Sequence, residues 1–219
     1  MSGNVELVDH PLVRHKISWL RNPSLNSRDY ADLIRELGLL LVVEATRDLN
    51  FAPPRQDMGS AESPKTTNWP VLVALLRSGL VMVEGARAVV PTHHIGHLGL
   101  FHDYVQDELV EFMCTMPTAI GSKQVVIADT FAIRGGSLLR AIDIIHNRYG
   151  ISLSNITVVC CSISTTAHRA IAGDTQASQV RFLTAHLDGT NPTTHWSKYF
   201  NKLNERLYGT LPKKLPEQF

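Results

Sequence analysis

The segment VVIADTFAIRGGSLLRAIDII, residues 125–145, constrains the fold of this chain more than any other. Val125, Val126, Ile127 and Ala128 form an unbroken apolar run, as expected for a strand covered on both faces. Asp129 closes that run, at the edge where open α/β sheets place their ligands. After a short loop, Gly135, Gly136 and Ser137 lead into a helix in which Leu138, Ala141, Ile142 and Ile145 share one face. Glycines at that position let backbone N–H groups close on an anion, and the helix dipole assists. Asp129 is then placed to meet sugar hydroxyls. The same glycines also serve an ordinary helix start, so this segment alone leaves a phosphate cradle and a plain turn side by side.

The rest of the chain repeats the alternation. Strands are expected at about 71–76, 93–100, 124–128, 156–161 and 180–186, and helices at about 79–88, 137–149 and 165–172. An earlier helix is expected over 27–46, where Leu33, Ile34, Leu37 and Leu41 share a face and Ser27 can cap the start. Strands alternating with helices imply an α/β fold with a mostly parallel central sheet and right-handed crossovers. Residues 50–68, NFAPPRQDMGSAESPKTTN, read as an exposed loop or hairpin arm, and 211–219 as a Pro/Lys-rich tail. At 219 residues and 44% hydrophobic, the chain can bury a sizeable core as a single domain spanning 1–219. It divides into arm and first helices (1–50), loop (51–68), core (69–186), and hood and tail (187–219).

Charge and apolar patterning narrow the function classes. A net charge of +1 provides no electrostatic footprint for nucleic acid or an anionic membrane. No apolar run approaches the roughly 20 residues that span a bilayer, and MSGNVELVDH lacks a signal-peptide pattern, which points to the cytoplasm. Cys114, Cys160 and Cys161 lack Cys-x-x-Cys spacing and read as reduced, buried thiols, with a catalytic cysteine as the sharper alternative. His93, His94, His97 and His102 invite a zinc reading. Alternation on a strand sends His94 to the face opposite His93 and His97, and no acid or thiol follows at ligand spacing, so no metal site is expected. Ser162 to Thr166 read as a helix-capping loop, and Phe112, Met113 and Met116 as core or interface.

The spacing Asp, five residues, Gly-Gly-Ser, helix resembles the phosphoribosyl pyrophosphate loop of type I phosphoribosyltransferases. The resemblance extends along the chain. Residues 8–49, with His-Pro-Leu-Val, His-Lys and Glu-Ala-Thr-x-Asp-Leu in order, resemble the amino-terminal arm and first helices of the uracil phosphoribosyltransferase family. VLVALLRSGLVMVEG (71–85) is similar to its strand and diphosphate loop. LTAHLDG (183–189) and RLYGT (206–210) are similar to its last strand and final helix turn.

This resemblance implies a type I phosphoribosyltransferase fold with an N-terminal arm and a C-terminal hood. The implied reaction is uracil plus phosphoribosyl pyrophosphate to UMP and diphosphate, in pyrimidine salvage, with Mg²⁺ accompanying the substrate. It implies Arg77, with Ser78 and Gly79, as the diphosphate loop, Arg77 gripping two phosphate oxygens. The residue-level alternative is a surface arginine. Asp129 would receive the ribose hydroxyls, its alternative being a helix-side capping acid. Arg134, Gly135, Gly136 and Ser137 would cradle the 5′-phosphate, and Asp188, Lys202 and Glu205 would belong to a degenerate base loop. A homodimer, or a heteromer with a homologue, is expected through the arm around His10-Pro11-Leu12 and the 50–68 segment, with Leu12, Val13, Trp19 and Phe51 as exposed apolar contacts.

Three departures from the family pattern bear on activity. Arg134 stands where a threonine is expected, adding bulk and charge at the 5′-phosphate position, either pairing with the phosphate or filling its place. His102 replaces a Tyr-Arg pair whose arginine reaches the diphosphate. In PTTHWSKYFNKLNE, 192–205, the loop whose backbone holds uracil is rebuilt: Lys202 and Glu205 take the places of two aspartates, and Tyr199, Asn201 and Asn204 those of glycines. The expectation is therefore a divergent member with an eroded uracil loop and reduced or lost turnover. The alternative is an inactive paralogue: a structural subunit, a partner of an active homologue, or a phosphate-ligand sensor.

Overall fold

The structure, a computed structural model, describes residues 4–49, 69–92, 94–103, 105–106, 108–118, 120–121, 123–189 and 203–209. The 50–68 segment, His93, Lys202 and the 211–219 tail lie outside the described residues. In chain order the elements are β1 (Val5–Leu7), α1 (Pro11–Leu20), α2 (Ser27–Ala45), β2 (Val71–Leu76), α3 (Gly79–Ala86), β3 (Ile95–Asp103), β4 (Glu108–Thr115), β5 (Val125–Ala132), α4 (Gly136–Asp143), β6 (Ile156–Ile163), α5 (Thr165–Gly173), β7 (Arg181–Thr184) and α6 (Leu203–Tyr208).

The strands form one seven-stranded sheet ordered β1-β7-β6-β5-β2-β3-β4. Every pairing is parallel except β3 with β4. Strands β2, β5 and β6 are almost wholly buried, which is why they appear in the sequence as continuous apolar runs. Two apolar layers flank the sheet. Helices α1, α2 and α3 supply Leu20, Ile34, Leu37, Leu41 and Met82 to one, and α4 and α5 supply Leu138, Ile142 and Ile171 to the other.

Chain direction along the sheet reverses between its two central strands. From β2 the chain moves to β3, on one side, whereas from β5 it moves to β6, on the other. The loops leaving β2 and β5 therefore diverge, one into α3 and one into α4, and leave a crevice at the carboxyl ends of the strands.

Several expectations are corrected. Asp129 does not close β5, which runs on to Ala132 because β6 continues to pair with it through Phe131–Ser162 and Ala132–Ile163. The cap of α2 is Asn26, whose extended backbone lets its side chain accept from the Asp29 N–H at 2.9 Å. Val13 is 1% exposed, packed with Ile17 and Leu20 into the core, whereas Leu12 and Trp19 are exposed. The expected helix 137–149 keeps its α-helical form only to Asp143 and then widens over Ile144–Arg148. Phe112 and Met113, expected in the core or at an interface, are not in the core: both are exposed on β4, an edge strand. Residues 5–7, in the expected arm, add β1 to the sheet edge beside β7, where the Asn4 amide also donates to the carbonyls of Ala177 and Val180.

Candidate active site

The crevice between β2 and β5 opens into a cavity of about 500 Å³ whose wall includes Asp129, Phe131, Arg134, Gly135, Gly136, Ser137, His102 and Leu109. Its floor is the last turn of β5 and the start of α4. Gly135 caps α4 with φ +83°, a left-handed conformation that side-chain-bearing residues adopt at a cost. A Cβ at Gly135 would also stand 3.3 Å from the backbone of Ala167, at the start of α5. Ser164 fastens the loop from below. Its N–H donates to the Ala132 carbonyl at 2.9 Å, and its hydroxyl to the carbonyl of Ile133. Ser164 also caps α5, accepting from the Ala167 N–H at 3.0 Å. The cradle is thus a braced turn, with Gly136 and Ser137 at the start of α4 on the cavity wall.

The Arg134 side chain is exposed on the cavity wall, and among the described residues no hydrogen bond or ion pair engages it. The β3–β4 hairpin roofs the opposite side through His102 and Leu109, and Leu109 approaches closely enough that a Cβ on Gly136 would lie 3.1 Å from it.

Asp129 sits where β5 loses β2 as a neighbour, since their pairing ends at Ala74–Ala128. Its carboxylate accepts the Thr130 N–H at 2.8 Å and the Ser78 hydroxyl at 3.3 Å. Burial pushes its pKa up to about 6, partly opposed by those two hydrogen bonds. Ser78 follows the diphosphate-loop candidate Arg77, whose side chain is exposed. Gly79 closes that turn where a Cβ would fall 2.1 Å from the Ala128 carbonyl oxygen, so only glycine lets α3 start against β5.

Arg77 is not on the wall of the 500 Å³ cavity but on the adjoining turn. There it meets α6: the Tyr208 hydroxyl donates to the Arg77 carbonyl at 2.9 Å, and the Arg77 guanidinium lies 5.6 Å from the centre of the Tyr208 ring. Asp188 lies just beyond β7, its N–H donating to Ile163 at 2.9 Å and its carbonyl accepting the Thr165 hydroxyl at 2.7 Å. Neither Asp188 nor Glu205, which is half-buried on α6, is part of the cavity wall. Lys202 lies outside the described residues. Among the described residues no group of three or more His, Cys, Asp or Glu could hold a metal ion. Cys160 and Cys161 are buried in β6, and burial raises both thiols, which disfavours the thiolate a nucleophile needs.

Two arrangements escaped the reading of the residues. One is the Tyr208–Arg77 contact, which spans 131 positions and leaves no local signal. The other is His186, set between the Arg21 guanidinium at 3.0 Å and the Ser162 hydroxyl at 3.1 Å. Burial, aided by Arg21, lowers its pKa to about 4.

Comparison with known proteins places this geometry. A family model described as "Uracil phosphoribosyltransferase" matches residues 7–210. The uracil phosphoribosyltransferase of Clostridium botulinum (strain Eklund 17B / Type B) is 34% identical over 168 residues, covering 73% of this chain and 76% of that protein. That of Staphylococcus carnosus is 32% identical over 166 residues, covering 72% and 76%. Among solved structures, the AQ2163 protein from Aquifex aeolicus superposes with a TM-score of 0.80 at 24% identity, covering 94% of this chain and 99% of that one. The adenine phosphoribosyl transferase of Trypanosoma brucei, solved with AMP, pyrophosphate and ribose-5-phosphate, superposes with a TM-score of 0.55 at 12% identity, covering 89% and 91%. The structural likenesses bear on the fold, which is that of the type I phosphoribosyltransferases, and the match over residues 7–210 carries the rest: this chain belongs to the uracil phosphoribosyltransferase family.

Proposed function

We propose that this chain binds phosphoribosyl pyrophosphate in the crevice between β2 and β5 and has lost most of its capacity to transfer the phosphoribosyl group to uracil. The observation that supports binding is the open cavity beside Asp129, with the Gly135–Ser137 turn and the start of α4 on its wall. The 5′-phosphate would take the N–H groups of Gly136 and Ser137, and Arg134 would add a guanidinium pair. Asp129 would accept the ribose hydroxyls as a carboxylate, and Arg77 would hold the diphosphate from the neighbouring turn.

Asp129 also suits a magnesium-bearing substrate. It is a single half-buried carboxylate with a hydroxyl beside it, and Mg²⁺ is commonly held by one or two carboxylates together with substrate phosphates. Mg²⁺ would supply charge neutralisation for the diphosphate; the residues supply position. Transfer breaks the bond from ribose C1 to a diphosphate oxygen and forms a bond from C1 to a uracil nitrogen; diphosphate leaves with the bonding electron pair, and the proton of that nitrogen is released to water or to the departing diphosphate. Such a reaction depends on placement and electrostatics and uses no nucleophilic side chain.

Reduced turnover rests on the substitutions. His102 is on the cavity wall in place of a longer cation, and Lys202 puts an ammonium where the family has a carboxylate. Radiolabelled uracil, Mg²⁺ and phosphoribosyl pyrophosphate are incubated with the purified protein and UMP is counted. Negligible UMP together with saturable binding of phosphoribosyl pyrophosphate is expected. Turnover in the ordinary enzymatic range, about 1–1000 per second, would overturn the reading of the rebuilt loop. Absence of binding would overturn the assignment of the crevice. The second reading, a non-catalytic subunit or phosphate-ligand sensor, is favoured by the exposed Arg134 beside an open cavity; it requires binding without turnover.

A further inference from the structure

Helix α6 is fastened to the core through Leu203, Leu207 and Arg206, and separately to the turn after β2 through Tyr208. Arg206 lies 3.8 Å from the ring centre of Tyr30, a fully buried residue of α2, and donates to the Asn22 carbonyl at 3.0 Å. That attachment secures the helix to the core. The second attachment reaches the turn after β2. The Arg77 carbonyl already accepts the Leu80 N–H at 3.2 Å as α3 begins, and the Tyr208 hydroxyl supplies a second donor to the same oxygen at 2.9 Å. The Tyr208 ring also lies under the guanidinium of the same residue, 5.6 Å from it. One side chain therefore holds both the backbone and the head group of Arg77. Tyr208 is 38% exposed, so burial of its ring cannot account for its position alone.

We propose that Tyr208 is a positioning residue for Arg77, fixing the turn after β2 so that the guanidinium is presented to a diphosphate. The proposal rests on the assignment of Arg77 to diphosphate binding made above. A guanidinium on an exposed turn has several rotamers, and each one frozen before binding removes an ordering cost from the binding step. The hydroxyl fixes the direction of the Arg77 peptide, and the ring offers the cation a π face. Because Tyr208 belongs to the helix that follows the 190–202 segment, the end of the chain and the diphosphate turn are tied to each other.

The test separates placement of Arg77 from general stability. Affinities for magnesium diphosphate and for ribose 5-phosphate are measured by calorimetry on the full-length wild type, Tyr208→Phe, Tyr208→Ala and Arg77→Ala, with thermal unfolding of each. Tyr208→Phe keeps the ring and loses the donor, so diphosphate affinity should fall by about 3–10-fold. Tyr208→Ala loses both and should fall by about 10–50-fold. Ribose 5-phosphate, which the separate turn before α4 would hold, should bind the wild type and both Tyr208 variants alike. If Tyr208 variants unfold at lower temperature yet bind diphosphate as the wild type does, or lose both ligands in parallel, the residue is merely structural and the proposal fails. If Arg77→Ala binds diphosphate normally, the assignment of Arg77 fails and the proposal falls with it. Loss in Arg77→Ala with no loss in the Tyr208 variants sinks the proposal alone.

Discussion

The Ser78 hydroxyl reaches the Asp129 carboxylate at 3.3 Å across the gap where β2 and β5 part. The contact joins the turn that carries Arg77 to the strand end that walls the cavity, and it favours the ionised carboxylate. Ser78→Ala should raise the Asp129 pKa further above its value of about 6. A carboxyl-detected NMR titration of the two proteins checks this. In either protein a ligand that donates hydroxyls to the carboxylate should bind more weakly as pH falls below the Asp129 pKa.

Asp129 also has a signature in stability. Its folded pKa, about 6, lies above the ordinary 3.8, so the folded state holds the proton more tightly than the unfolded chain does. The contribution is fully favourable below about pH 4, declines as pH rises through 6, and is absent above. Asp129→Asn removes this half-buried charge, so at pH 8 the variant should be more stable than the wild type, and the gap should close towards pH 4. Urea titrations at the two pH values measure it.

His186 runs the other way. With its pKa lowered to about 4 by burial and Arg21, the imidazole contributes stability above about pH 6.5 that is lost as pH falls through 4. Arg21 can only donate, so Nε2 accepts and the proton resides on Nδ1, facing the Ser162 oxygen. At pH 6 the ring should still be neutral in that tautomer by ¹⁵N NMR, and a protonated His186 at that pH would contradict the arrangement.

Thr130 is 0% exposed, and its hydroxyl has no partner among the described residues. Thr130→Val keeps the β-branched shape and removes an unsatisfied oxygen. It should stabilise the fold by about 1 kcal/mol, read as a higher denaturation midpoint with an unchanged urea slope. A loss of stability would mean that the hydroxyl has a partner, such as a bound water.

What could be read from the residues depended on how local the cause was. The 125–145 segment was legible because a buried parallel strand, a glycine turn and an amphipathic helix each have their own period, and they follow one another without interruption. Strand β4 was not: ELVEFMCT lies at the sheet edge with Phe112 and Met113 facing solvent, so the alternation that marks a half-buried strand is missing. Three-residue β1 is too short for any period to show. Val13 was expected outside, because an arm with a proline at its start gave no hint that helix α1 would turn that side chain into the core. In the candidate site, Asp129, Arg134 and the glycines, singled out by spacing and resemblance, share one cavity wall. The contacts that hold them were not: Ser78 meets Asp129 from 51 positions away and Tyr208 meets Arg77 from 131. Pairings of that range are decided by topology, which a single sequence reveals only after the fold is known.

The unequal pairing of β5 has a kinetic consequence. Residues 125–128 have a partner strand on each side, but beyond Ala128 only β6 accompanies the chain, and the Thr130 N–H turns to the Asp129 carboxylate instead. The first half of the strand should exchange its amide hydrogens only when the whole molecule unfolds. On the side that β2 has left, the second half should open by itself, on a much faster clock. The strand behaves as a cantilever: clamped where it must carry the core, free to yield by small amounts where a ligand would press on it. Slowed exchange of the Thr130 amide when a ligand is added would therefore report occupancy of the crevice directly, without any need for turnover.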